Sequence, residues 1–250
     1  MNGILKFNTA VKYIALLLFT SLFLIGGCNS STSKSTDYNT TIQGKIDGLK
    51  KGKLYLERHI DTLAQVVDSV LFNGTDQFTF QLNLEEPEMV YLYLEKTENT
   101  PINDFLAVFL EPGNITIETT LKNFERDARV TGSVNHDKWV EYQELTRRFQ
   151  DKRLELIKET YQAEMNKNAS KVLEINRKNQ SLIQSKYLST VNFAINNSAL
   201  EIAPYLALYE IFDTHTNYLD TIYNSLTQPV KQSKYGRELE NYIIERKNLD

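Results

Sequence analysis

Cys28 is the only cysteine among 250 residues, and it ends the tetrapeptide Ile25-Gly26-Gly27-Cys28. A lone thiol excludes an internal disulfide, a Cys-x-x-Cys redox pair and a multi-cysteine zinc site, each of which needs more than one sulfur. It leaves one chemistry open, that of a nucleophile accepting a group. His59, His136 and His215 stand far apart, with no His-x-x-x-His and no His–carboxylate pair at ligand spacing. Surface or capping roles are expected for them. Asp68-Ser69 offers a base beside a hydroxyl, but in a strand pattern that leads into a turn, so a structural role is favoured. No G-x-S-x-G, P-loop or G-x-G-x-x-G motif occurs. No catalytic, cofactor or metal site is therefore expected. The tyrosines of the last third (Tyr187, Tyr205, Tyr209, Tyr218, Tyr223, Tyr235 and Tyr242) fit either an aromatic groove or packing of half-buried helices, and packing is the favoured reading.

What precedes Cys28 gives the thiol its context. Residues 1–12 carry Lys6 and Lys12 and no acid, and residues 13–27 are uncharged and mostly apolar. That is the basic then apolar order of an export signal, and it is shorter than the ~20 residues of a spanning helix. Ile25, Gly26 and Gly27 before Cys28 resemble the lipobox of bacterial lipoproteins, in which small residues let a signal peptidase grip the backbone. The resemblance implies acylation at Cys28, with chains such as palmitate, and cleavage after Gly27. An N-terminal transmembrane anchor with an incidental cysteine is the other reading. Residues 29–39 are polar without an apolar period, as in a flexible tether.

Residues 40–132 read as short strands. Ile42, Gly44 and Ile46 alternate with polar residues, and Phe78, Phe80, Leu82 and Leu84 share one face. Asn73-Gly74 suits a hairpin turn, and Glu111-Pro112-Gly113-Asn114 suits a type II turn. The spacing predicts about seven strands in an antiparallel sandwich or partial barrel. The stretch 62–72 is read as a buried strand, which argues against use of Asp68-Ser69-Val70 as a short O-glycosylation signal. Asp61-Thr62-Leu63 and Asp220-Thr221-Ile222 have the same weak pattern.

After Ser133 the period becomes helical. Residues 134–167 and 170–196 predict a long antiparallel helical hairpin joined near 166–170. The pair Arg147-Arg148 and the pair Lys152-Arg153 are diluted by acids and read as a solvated face. Ser198 has capping-box spacing to Glu201, but Pro204 pushes the regular helix about one turn later. Two more helices follow, split by Pro229. The fold class is α+β, an antiparallel sandwich-like domain followed by an all-helical region. The divisions are a signal peptide over 1–27, a tether over 28–39, the β domain over 40–133 and the helical region over 134–250.

Several segments together resemble the domain of unknown function 4369: Ile42-x-Gly44-x-Ile46, residues 52–56, Asp68-Ser69, Phe78-x-Phe80, residues 109–117 and residues 130–133. That family occurs mainly in Bacteroidetes envelope lipoproteins. It commonly precedes a thioredoxin-like domain of the thiol-disulfide reductase or peroxiredoxin type. The resemblance implies an envelope location, lipid-anchored at the outer membrane on either its periplasmic or its surface face. No cysteine follows Cys28 through Asp250, so the redox chemistry of such relatives is not carried over.

A net charge of −4 gives no general attraction to nucleic acid. The expected partners are the membrane, through the lipid anchor at Cys28, and an envelope protein. The expected function is a non-enzymatic binding or assembly module. The alternative is an accessory subunit that docks a separate thioredoxin-like oxidoreductase. A third reading, a hydrolase with a dispersed site, needs a cleft of converging carboxylates or histidines.

Overall fold

The computed structural model describes residues 38–60, 63–96 and 104–249. The eight strands are β1 (Thr40–Asp47), β2 (Lys51–Ile60), β3 (Leu63–Asn73), β4 (Gln77–Leu82), β5 (Glu88–Lys96), β6 (Asp104–Leu110), β7 (Gly113–Thr120) and β8 (Arg129–Thr131). They form two four-stranded sheets, ordered β4-β1-β7-β8 and β3-β2-β5-β6. The helices that follow are α1 (Val134–Met165), α2 (Ala169–Asn196), α3 (Ile202–Tyr209), α4 (Thr216–Ser225), α5 (Gln228–Lys231) and α6 (Lys234–Leu249). The class is α+β, as the two hydrophobic periods require.

Two strand expectations are corrected. The first sheet is not wholly antiparallel, because β1 runs parallel to β7 from Thr40↔Gly113 to Asp47↔Thr120. A parallel pair needs a long crossover, and here the entire second sheet, with β4, lies between the two strands in sequence. Asn73-Gly74 does not close a hairpin either. It carries the chain from β3 in one sheet to β4 in the other, and Gly74 supplies the positive φ of that change of direction.

The inner faces of the two sheets close on each other. Ile42, Ile46, Leu54, Leu94, Val108 and Ile115 are fully buried there, with Phe78, Phe80, Leu82 and Leu84 in the same cluster. The alternating face read from residues 78–84 is thus covered by the second sheet. Gly44 sits opposite Phe78, and a Cβ at Gly44 would lie 2.2 Å from the Ile117 carbonyl oxygen. The absence of a side chain there lets β1 approach β7 under the Phe78 ring.

The strand β3 is less buried than expected. Its residues from Leu63 to Asp68 are exposed, and a register shift at Leu56/Glu57 displaces its outer half. The buried-strand reading of Asp68 is therefore wrong, because β3 is the edge of its sheet and this end runs beyond the core.

Ser133 caps α1, its hydroxyl accepting from the His136 N–H at 3.0 Å. α1 and α2 form the expected hairpin, turned at 166–168 with Asn168 capping α2. The regular helix after residue 198 starts at Ile202 and has no side-chain cap, as Pro204 requires. Pro229 stands in the first turn of α5, where its missing N–H costs nothing. The helices have their own core of Ala194, Ala203, Ala207, Ile211, Leu219, Ile222 and Leu239. A second cluster joins Trp139, Tyr142, Phe193, Tyr205, Leu206 and Tyr235 to Met89 and Phe109 on the outer face of the second sheet. None of the helices among the described residues is long and apolar enough to cross a membrane.

Candidate functional site

An aromatic space lies where α3 and α6 cross the outer face of β5. It is a cavity of about 530 Å³. α3 contributes Tyr205 and Tyr209, four residues apart and so on one helix face. α6 contributes Lys234, Tyr235 and Glu238, β5 contributes Met89 and Tyr91, and β2 contributes His59.

The tyrosines form one continuous wall. The Tyr205 ring lies 4.8 Å from Tyr209 and 5.2 Å from Tyr235, and Tyr209 is nearly perpendicular to Tyr235 at 84°. Behind them Phe109 meets Tyr205 and Tyr235 edge to face, and Trp139 meets Tyr205 at 89°. Such edge-to-face contacts fix ring orientation. The Tyr235 hydroxyl accepts the Met89 N–H at 2.9 Å, which ties α6 to β5. The His59 imidazole stacks on Tyr91 at 4.1 Å.

Burial holds the Tyr205 and Tyr235 phenols well above the usual tyrosine range, and the neighbouring Tyr91 hydroxyl adds to the effect at Tyr205. They remain protonated in water and act as hydrogen-bonding walls, not as bases. Beside the cavity, the nearly buried Glu88 carboxylate pairs with Arg58 Nε at 2.5 Å and Lys234 Nζ at 2.9 Å. Glu86 receives the Lys234 backbone N–H and the Arg237 guanidinium. These charges belong to structural pairs that bind the first turn of α6 to the β4–β5 connection.

Two other hollows differ in kind. One, about 530 Å³, lies along β1, β7 and β8 and is lined by charged side chains including Lys45, Asp127 and Arg129. Asp127 there accepts from Thr120 and Asn123, which holds its carboxyl below the usual range. The other, about 380 Å³, lies beside His136 and Trp139. Among the described residues, no group of three or more His, Cys, Asp or Glu could hold a metal ion.

The remaining sequence candidates are dispersed. Ile25, Gly26, Gly27 and Cys28 lie outside the described residues, as do Asp61 and Thr62. His136 is buried rather than exposed, and its Nδ1 accepts the Phe109 N–H at 3.3 Å. His215 caps α4 by accepting the Asn217 N–H, and His59 alone of the three lines the tyrosine cavity. Asp68 accepts the Ser69 backbone N–H at 2.7 Å, a local contact and no catalytic pair. Thr221 donates to the Asn217 carbonyl within α4, and Asp220 pairs with Lys247. Arg147, Arg148 and Arg153 are exposed, and Lys152 pairs with Glu155.

Of the seven late tyrosines, Tyr205, Tyr209 and Tyr235 make the wall. Tyr187 donates to Asp213 and Tyr242 to the Phe212 carbonyl. Tyr223 packs against the helical core, and Tyr218 is exposed. Tyr91, Met89, Lys234 and Glu238 were not foreseen as site residues. The alternation of Tyr91 and Tyr93 along β5 placed them on one face, but only the fold brings that face under α6.

Among curated proteins, none matches this sequence. Residues 40–139 match the family model of a domain of unknown function, DUF4369. The match runs past Ser133 to Trp139, and so includes the first turns of α1 that seat His136 and Trp139 on the sheet. The matched stretch, residues 40–139, is the sandwich and that seat, and in this chain it is continued by helices that complete the tyrosine cavity.

Proposed function

We propose that the protein is a lipid-anchored cell-envelope binding module, attached through Cys28, whose ligand enters the cavity between β5, α3 and α6. The observation that carries the binding reading is the tyrosine wall. It is a concave, mostly aromatic space with a few polar groups at its rim, the usual composition of a small-ligand site. The phenols do not ionise in the working range, which supports binding over proton transfer. The anchor rests on Ile25-Gly26-Gly27-Cys28 and the short apolar run before it. Several acyl chains on one residue would hold the protein at a bilayer, where a single chain is marginal. The outer membrane is the proposed location.

The cavity is tested without knowing the ligand. A low-molecular-mass extract of the native envelope should raise the melting midpoint of the protein, since a ligand bound only to the folded state stabilises it. The rise should vanish in Tyr209→Ala, a half-exposed position. An equal rise in both proteins, or none in either, overturns the reading. The anchor has its own test. Cys28→Ala should leave an uncleaved precursor without acyl mass on intact mass spectrometry, and normal processing of that variant would refute it.

A second reading is that the chain docks a separate thioredoxin-like oxidoreductase. In its favour, Tyr209, Phe212 and Ile244 are large apolar side chains more than half exposed in the C-terminal helical region. Affinity purification of the lipidated protein from its envelope should then return a redoxin containing a cysteine pair. Recovery that excludes every such protein would remove this reading.

A further inference from the structure

The tyrosine cavity continues into an open aromatic track on the same face of the sheet. Tyr91 and Tyr93 are two residues apart on β5, so their side chains leave the same face about 6.6 Å apart. Tyr93 is opposite Tyr55 on β2 and Phe105 on β6, which makes a row of three rings across neighbouring strands. The Tyr55 and Tyr93 rings are 6.0 Å apart, and Phe105 is 51% exposed. Among the described residues, the helices cover the Met89–Phe109 row and leave the Tyr93 row uncovered.

We infer that this surface binds a linear, neutral oligosaccharide, with one end in the cavity against Tyr205 and Tyr209 and the next unit on Tyr93, flanked by Tyr55 and Phe105. The inference rests on the cavity being the binding site. Three features select this class of ligand. A pyranose unit presents an apolar C–H face to a ring and hydroxyls at its edge, and the track offers rings edged by polar groups. Its charges are mixed: Lys53, whose Nζ lies 4.5 Å over the Tyr55 ring, and Lys234 stand against Glu57, Glu238 and Glu95, which accepts the Tyr55 hydroxyl, so it lacks the concentrated positive charge that a nucleic-acid or phosphate polymer needs. The carboxylates of Glu57, Glu95 and Glu238 accept hydrogen bonds and donate none. They suit a ligand rich in hydroxyl donors. A proline-rich peptide, the other common ligand of aromatic grooves, presents chiefly carbonyl acceptors and is poorly matched to that edge.

The only tryptophan of the chain, Trp139, touches Tyr205 from behind and reports on the cavity. The full-length lipidated protein, kept in a detergent without a sugar head group, is titrated with linear gluco-, manno-, xylo- and N-acetylglucosamine oligomers and with a proline-rich peptide. Trp139 emission and calorimetry are read together. At least one oligomer should bind saturably, and Tyr209→Ala and Tyr93→Ala should each weaken it about tenfold, the worth of one good ring contact. Both positions are at the surface, and unchanged melting midpoints would show that the variants fold. Binding of no oligomer overturns the inference, as does binding that neither variant weakens. Peptide binding that is lost in Tyr209→Ala, without any oligomer bound, overturns the sugar assignment while leaving the cavity as the site.

Discussion

The sandwich and the helical region solve the same problem with unequal means. Each sheet of the sandwich has one inner face, and the two faces close on each other, with residues such as Ile46, Leu54 and Val108 wholly buried. The helices divide their apolar residues among three places. One cluster is their own, one is shared with Met89 and Phe109 of the sheet, and a thin one of Leu156, Ala163 and Ile175 lines the distal hairpin. Depth of burial is therefore continuous in the sandwich and graded along the helices. The cavity sits at the shared cluster, where the sandwich and the helices meet and neither fills the space.

Phe109 is the sharpest point at which to break that comparison. It is fully buried, yet it faces out of the sandwich and into Tyr205 and Tyr235. Phe109→Ala should cost about 3–5 kcal/mol, the usual range for a buried aromatic. Denaturation followed by Trp139 fluorescence and by far-ultraviolet circular dichroism should lose its coincidence, because the helices come loose before the sandwich melts. Coincident curves with a small shift would mean that the two regions are one cooperative unit.

His136 sharpens the same seam through pH. Burial pushes its imidazolium down to about 4, against the opposing pull of Asp137. Its Nδ1 accepts the Phe109 N–H, which only the unprotonated nitrogen can do. The unfolded chain binds the proton near the ordinary histidine value of about 6.5. The unfolded state therefore holds more protons between those values, and stability falls as pH is lowered from about 6.5 to about 4, by about 3 kcal/mol in all. Above that window the contribution is fully present. Urea titrations at a series of pH values measure the slope, and His136→Gln should flatten it in this window.

The legible part of this fold is what repeats locally. Phe78, Phe80, Leu82 and Leu84 announce a half-buried strand at period two, and the two long helical periods announce the hairpin. Pro204 and Pro229 mark helix starts because their chemistry acts within one turn. The parallel pairing of β1 with β7 was not legible, since Ile42 and Ile115 lie far apart in the chain and alternate identically whichever way their strands run. The sheet change at Asn73-Gly74 was hidden for a related reason: a positive φ permits a hairpin or a crossing, and the next sheet decides. The cavity was half legible. Tyr205 and Tyr209 were among the late tyrosines that fit a groove or packing, but Tyr91 and His59 join them only through tertiary packing, so plain packing was the favoured reading. Asp68 was misread because hydrophobic content in β3 signals a strand without saying that it lies at an edge.

The distal hairpin offers the finest test, on two adjacent residues. Leu156 is 3% exposed and packs with Ala163 and Ile175, while Ile157 is 55% exposed. One step along a helix turns the side chain by about 100°, so near-identical chemistry meets the facing helix at one position and water at the next. Leu156→Ala should cost about 2 kcal/mol, the low end for such a truncation, because a thin cluster at the end of a hairpin relaxes into the cavity more readily than the sandwich would. Ile157→Gln removes little buried area and keeps a good helix former, so it should change stability by less than about 0.5 kcal/mol. Hydrogen exchange of the amides around residues 150–180 registers both variants locally, even where the global midpoint barely moves. If Ile157→Gln were the costlier of the two, its face would have to be covered in the intact protein, and the graded burial on which the comparison with the sandwich rests would end closer to the tip than the isolated chain displays.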